Sequence, residues 1–490
     1  MPNQLQIGWA AASITPDRPT YVYGQLYYRI SEYVHDPITA TALVISSGDE
    51  QAVLVSADVV GINDMICAKV RKALEEVKGL DVSRITFSAT HTHNSAFGFN
   101  TKRREEIVEL CGGDCFPVQE YPENFMPEAE ATDFFAGKLV RLVKDAWDVR
   151  KPGGISYAGD YAAIGFNRRP QFDKGKGVAE SKMYGACCLD DFIRFEGTVD
   201  HGIDMLYTWD LDRNLTGVLV DVPCPSQVFE LHSFISADYW GYARNAIREK
   251  LGNIFVLSIC GAAGDQSPLD LARISKYNAR KLDEWNAQAG EVFRNFDMAE
   301  ECESIARRIA EPVHRGVNTA RKNIETRPVF KHTVKQIKLP IRKVSEADYQ
   351  EADTTARKIA AEFSPEHKMA GKDLVRLFEP IGIINRWKLQ QHGDDTTIHS
   401  SIIRLGDAVF CTVPFELFVE YGLRIRAKSK ARQVFTMQLT NGSQGYLPTD
   451  AALAGGSYSS KPASTLVGPR GGDLLTETLI KEINRLWDQK

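Results

Sequence analysis

ATALVIS (40–46), AVLVSADVV (52–60), NDMICAKVRKALEEVK (63–78) and RITFSATHTHNS (84–95) are the stretches that decide the fold. The first two and the start of the last are short apolar runs rich in β-branched residues, the signature of buried strands. Between them Ile66, Val70, Leu74 and Val77 recur at helical spacing, which gives an amphipathic helix with one apolar face. The same alternation continues outward. TDFFAGKLVRLVKDAWDVR (132–150) reads as a second strong helix, and LTGVLVDVP (215–223), NIFVLSIC (253–260) and DAVFCTVP (407–414) read as further strands. Strands alternating with helices predict an α/β architecture of mixed sheets covered by helices. These later strands run straight into polar or glycine-rich segments, and in α/β sheets ligands bind at the carboxyl ends of strands.

Composition narrows the function. The 490 residues are 43% apolar and 25% charged, and 59 basic against 64 acidic side chains leave a net charge of −5. That balance gives no basic surface for phosphates, so nucleic acid is not an expected partner and a small-molecule substrate is. The start, MPNQLQIGWAAASITPD, has neither the basic region nor the apolar run of a secretion signal. No stretch approaches the roughly 18 apolar residues of a membrane span. Nine cysteines are scattered along the chain, most inside apolar strands, as buried thiols in a reducing compartment would be. A cytoplasmic location is expected, and assembly into a homo-oligomer is compatible with this composition. Cys111 and Cys115 form CGGDC without a second pair to complete a zinc knuckle.

No repeat, low-complexity tract or long linker divides the chain, so residues 1–490 are read as a single domain. Residues 101–130 are polar and irregular and read as an insertion near whatever site the histidines serve. Residues 270–325 and 345–392 read as helical, charged, peripheral segments. SYSSKPASTLVGPRGG (457–472) reads as a loop before a short terminal helix.

Five polar clusters follow predicted strands. In SATHTHNS (88–95), His91 and His93 would share a face of an extended strand; both could reach one centre, or one could bind a metal while the other meets the substrate. FELHSFISADYWGYAR (229–244) offers His232 just before a helix that should start near Asp238. SICGAAGDQSP (258–268) displays Asp265 and Ser267 on a tight turn. VFCTVPFELFVEYG (409–422) places Glu416 where a helix should begin, a position that complements a helix dipole. QLTNGSQGYLPTD (438–450) carries Tyr446 beyond an Asn-Gly turn. Taken singly, each has an ordinary structural explanation. Together they supply imidazoles, a carboxylate and a phenol at strand ends, a set that suits a zinc ion with one position left for water.

The order and wording of these clusters resemble the catalytic domain of the neutral (non-lysosomal) ceramidases. IGWAAASITPD (7–17), VSADVVG (55–61) with Asp58, SATHTHNS, GFNRRP (165–170), FELHSFISADYWGYAR, GAAGDQSP (261–268), VPFELFVEYGLRIR (413–426) and NGSQGYLPTDAALAGGSYSSKPASTLVGP (441–469) carry the likeness in blocks across nearly the whole chain. The resemblance implies a zinc site of His91, His232, Glu416 and Tyr446. It implies His93 as the substrate-facing acid/base, Arg168 and Tyr458 in the pocket, and Ser267 as a proposed nucleophile. The chain departs from the family in Glu230-Leu231 before His232, in Asn94-Ser95-Ala96-Phe97 after the histidine pair, and in ending soon after the Tyr458 loop, so that the family's C-terminal β-sandwich domain is not expected.

The activity so implied is zinc-dependent hydrolysis of an N-acyl (amide) bond by metal-activated water. The same scaffold could instead serve as an esterase, a glycoside-cleaving enzyme, a lyase or isomerase, or a non-catalytic binding protein. The run Lys102-Arg103-Arg104-Glu105-Glu106 beside the histidines, if it lines the entrance, predicts a polar pocket and a small soluble substrate rather than ceramide.

Overall fold

A computed structural model describes residues 3–97, 102–115, 120–279 and 298–488. An eight-stranded sheet runs in the spatial order Phe255–Cys260, Leu215–Val222, Gly202–Asp210, Lys151–Tyr161, Gln6–Ser13, Thr39–Ser47, Glu50–Ala57, Ile85–Ala89. Its interior pairings are antiparallel. The two outermost pairings are parallel, Leu215–Val222 with Phe255–Cys260 and Glu50–Ala57 with Ile85–Ala89. Each parallel pair needs a crossover, and helices Tyr239–Leu251 and Asp64–Leu74 supply them. The second begins where the sequence places it, with the Asn63 side chain accepting from the Ile66 amide.

Alternation along each strand builds the layers. Ala42 and Val44 face helices Asp64–Leu74 and Glu128–Asp148, while Leu43 and Ile45 face the other way. On that opposite side lies a four-stranded sheet, Phe330–Pro340, Asp395–Leu405, Ala408–Thr412 and Gln433–Met437 in spatial order. Leu43, Leu54, Leu219 and Leu257 from the first sheet share a core with Ile403, Phe410, Phe435 and Met437 from the second. Helices Val419–Lys428 and Pro469–Asp488 cover the outer face of the second sheet. Two stacked sheets between helical layers are therefore the architecture, and the mixed-sheet expectation holds with the stacking added.

Two details differ from the sequence reading. The terminal helix begins at Pro469, so Pro469–Gly472 open a helix of 20 residues instead of closing a loop. Proline is suited to that first position because its missing N–H has no partner there. The helical segment 345–392 is also not merely peripheral: helix Gly371–Gln390 forms part of a cavity wall with Leu374 and Phe378. All nine cysteines are free. Among the described residues no helix is long and apolar enough to cross a membrane.

Candidate active site

Strand Ile85–Ala89 stops two residues before the histidine pair, so the shared-face argument from strand periodicity does not apply. His91 instead adopts a left-handed backbone, φ 61°, a conformation that costs a non-glycine residue roughly 1–3 kcal/mol and clusters at functional sites. The turn brings the two rings edge to face, with centroids 4.9 Å apart. Around it the segment is stitched to its neighbours: Asn94 Nδ2 donates to the carbonyls of His232 and Phe234, Thr92 Oγ1 to the carbonyl of Ser236, and Arg29 to the carbonyl of His93. Asp58, ion-paired with Arg244 and bonded to Thr39 and Thr90, anchors the strand ends beneath.

His91 Nδ1 lies 2.5 Å from the Val60 carbonyl oxygen. A carbonyl can only accept, so Nδ1 carries the proton and Nε2 presents its lone pair. That Nε2 lies 3.3 Å from His93 Nε2 and 3.4 Å from Glu416 Oε2. Glu416 sits in the two-residue strand Glu416–Leu417, paired in parallel with Tyr446–Leu447, and the following helix begins only at Val419. It is therefore not the helix-dipole carboxylate that its sequence position suggests. Burial works against its charge, but the Arg168 guanidinium and the Tyr446 hydroxyl are among the groups that hold the carboxyl below its ordinary range. Glu416 and Tyr446 are hydrogen-bonded to one another, and Arg168 donates to Tyr446 Oη at 3.1 Å and to the Gly264 carbonyl at 2.9 Å. His93 is buried, and burial pushes its imidazole down to about 4 against the pull of Glu230, which leaves it neutral near pH 7.

These side chains form the floor of a cavity of about 400 Å³. Tyr21, Tyr23, Tyr27 and Tyr28 come over it from the loop joining the short strands Tyr21–Val22 and Arg29–Ile30. Ile107, Leu374, Phe378 and Tyr458 complete an apolar and aromatic wall, and Gln25, Ser443 and Ser464 add polar groups. Glu105 and Glu106 are not among the residues lining it. Helix Lys102–Cys111 turns Ile107 inward and leaves Glu105 exposed, and the side chains of Lys102, Arg103 and Arg104 lie outside the described residues. An amphipathic helix buries its apolar face, and here that face is part of the cavity wall.

Of the residues singled out from sequence, His91, His93, Glu416, Tyr446 and Tyr458 line this cavity, and Arg168 stands behind Tyr446. Two are not brought there. His232 is exposed, its ring stacked on Phe234 at 4.9 Å. Ser267 is fully buried in a two-residue strand against Phe166–Asn167, its hydroxyl accepting from the Leu269 amide. The GAAGDQSP turn has a structural part instead: Asp265 accepts from the Val419 amide and from Asn167, and Gly264 donates to the Leu417 carbonyl. Two further residues were missed. Glu230 Oε2 lies 3.4 Å from His93 Nδ1, and Gln227 Nε2 lies 2.7 Å from His93 Nε2.

The donor chemistry fits zinc in part. Bonds of about 2.0–2.1 Å in a tetrahedron set ligand atoms about 3.3–3.4 Å apart, the spacing of His91 Nε2 from both His93 Nε2 and Glu416 Oε2. Among the described residues, however, no three His, Cys, Asp or Glu side chains form a group that could hold a metal as they stand. The lone pair of His93 is taken by Gln227, whose Oε1 is buried without a hydrogen-bond partner.

Gly24 gives a test of this packing. Its φ is +112°, and a Cβ there would fall 2.6 Å from Cα, Cβ and Cγ of His93. Gly24→Ala should therefore displace His93. A misplacement near 1 Å can cost about 10²-fold in rate, so kcat should drop by roughly that factor, and the positive φ should lower the melting temperature as well. An unchanged kcat would show that this loop does not fix His93.

No family model and no curated protein matches the sequence. Solved structures do. The neutral ceramidase from Pseudomonas aeruginosa superposes with a TM-score of 0.66 at 17% identity, covering 99% of this chain and 75% of that one. A ceramidase complexed with C2 gives 0.66 at 16% identity, covering 99% and 76%. At such identities the likeness is one of fold: this chain has a neutral ceramidase-like fold over essentially its whole length.

Proposed function

We propose that this protein is a metal-dependent hydrolase of an N-acyl bond, with His91, Glu416 and Tyr446 at the metal. The observation that carries the reading is the pairing of His91 Nε2, a lone pair fixed by the Val60 carbonyl, with the Glu416 carboxylate 3.4 Å away. Two acceptors that close in a buried floor call for a cation between them. A zinc ion held there would supply a Lewis acid and lower the pKa of bound water to about 7. The chain's own groups do the rest. Arg168 holds the Tyr446 hydroxyl against Glu416, so a positive charge and a hydroxyl lie beside the place where a carbonyl oxygen would gain charge. Tyr458, edge to face with Tyr446 at 5.6 Å, and the tyrosine loop keep water from the floor.

The cavity also limits the substrate. Its volume of about 400 Å³ lies at the lower end of the roughly 300–1,000 Å³ typical of small-molecule sites. Leu374, Phe378, Ile107 and Tyr27 offer a short apolar wall for an acyl group, not room for two long chains. Each buried methylene is worth about 0.8 kcal/mol, about fourfold in kcat/KM. Across a series of N-acyl compounds kcat/KM should rise over the first few carbons and then fall once the wall is filled. A rate that keeps climbing to long-chain ceramide would overturn the short-acyl assignment.

A further inference from the structure

Behind the loop that leads into Tyr446 lies a second cavity, of about 470 Å³. Helix Asp64–Leu74 forms one side of it with Asp64 and Arg71. Strand Asp395–Leu405 forms another with Thr397, His399 and Ser401. Residues 440–444 close it on the side of the first cavity. Ser443 lines both, so this loop is the partition between the two. The turn in it is tight, with φ of 56° at Asn441 and 136° at Gly442, and glycine meets the second value at least cost.

The charge in this cavity is unmatched. Arg71 is half-buried, and burial pulls its guanidinium pKa down from the ordinary value. Among the described residues no carboxylate pairs with it. Its Nη2 donates only to neutral acceptors, the Ile85 carbonyl at 2.8 Å and Asn441 Oδ1 at 2.7 Å. Asp64 lies two turns away on the same helix, roughly 10 Å along the axis, and is exposed at the rim. The second feature is Thr440. It is 1% exposed, and its hydroxyl has no hydrogen-bond partner. A buried hydroxyl left so is costly, and a ligand acceptor removes that cost. Thr397 and Ser443 add hydroxyls to the lining. A guanidinium without a counter-ion and an unspent hydroxyl donor, both on one cavity, are matched by an anion with several oxygens.

We propose that this cavity binds a small oxyanion, a carboxylate or a phosphate, with Arg71 as its counter-ion and the Thr440 hydroxyl as a second donor. The planar fork of the guanidinium suits two oxygens of one such group. The site is separate from the floor at His91 and Glu416. It borders that floor only through the loop, where Asn441 Oδ1 accepts from both Arg71 and the Phe87 amide. An anion on Arg71 therefore bears on the partition from the side away from His91.

The test is isothermal titration calorimetry on the full chain at constant ionic strength, with sodium phosphate in one series and sodium acetate in another. At least one series should show a single saturable site with a Kd of about 10 mM or tighter. The series that binds identifies the group. Arg71→Gln should weaken that binding at least about tenfold. Thr440→Val keeps the shape and removes the unpartnered hydroxyl; it should weaken binding about twofold to tenfold while the melting temperature holds or rises. Asp64→Asn removes a like charge from the rim and should tighten binding about twofold to fivefold. If Arg71→Gln does not fold, the opposite signs expected of Thr440→Val and Asp64→Asn carry the test. Binding of neither anion would overturn the proposal. So would an affinity unchanged in Arg71→Gln, or, where that variant does not fold, unchanged in the other two.

Discussion

His91→Ala should give a folded protein that neither keeps zinc nor turns over substrate. The imidazole is the hub of the floor, since its Nε2 faces both His93 and Glu416 and its Nδ1 is held by Val60. Removing it takes one donor from any metal and opens a gap beside the Glu416 carboxylate. We expect hydrolysis to fall by at least about 10³-fold, which at 1.36 kcal/mol per tenfold is about 4 kcal/mol of transition-state stabilisation. The fold should survive, because Thr92, Asn94 and Ser95 hold the turn independently of the ring's bond to Val60. Circular dichroism, zinc content and initial rates check the three statements; a variant with normal zinc content would contradict the account. Glycine at this position relieves the strained φ, so His91→Gly should be more stable than His91→Ala by about 1 kcal/mol while equally inactive.

Glu416 carries the second large effect, and here stability and activity separate by substitution. Glu416→Ala leaves the buried Arg168 guanidinium without the carboxylate it faces through Tyr446, and breaking a buried charge pair in this way costs about 3–5 kcal/mol. Glu416→Gln keeps volume and one hydrogen-bond acceptor and should lose much less stability. Both should lose activity by at least about 10²-fold, since the amide brings no charge to a cation. Chemical denaturation of the two variants measures the first difference and steady-state kinetics the second. Equal stability of the two would show that Arg168 does not depend on the Glu416 charge.

The sheet strands and their covering helices were legible because their periodicity is strong. In ATALVIS every residue from Ala40 to Ile45 is buried, as a central strand with helices on one face and a second sheet on the other must be. The second sheet was harder to see. Its outer strand FKHTVKQIKLP (330–340) buries Phe330 and His332 and then Ile337 and Leu339, so the alternation changes phase in mid-strand and the apolar signal is weak. At the site, His91, His93, Glu416 and Tyr446 could be found because histidine, glutamate and tyrosine after a strand are conspicuous. Glu230 and Gln227 could not, since Ser226–Ser236 has no regular period to say which side chains turn inward. His232 misled for the same reason. The roof had a signal that went unread: four tyrosines in the eight residues 21–28, around Gly24. Tyrosines so crowded in a loop bury large amphipathic rings together, and here they do so over the histidines.

We propose that a metal on the His91–Glu416 floor makes this protein a hydrolase. The most direct measurement is the rate of hydrolysis of a short-chain N-acyl amide by protein stripped with a chelator and then titrated with ZnCl2. The stripped protein should have no activity, and activity should return in proportion to zinc up to about one ion per chain, with none recovered in His91→Ala. Full activity in the stripped protein, or hydrolysis that zinc does not restore, would contradict it.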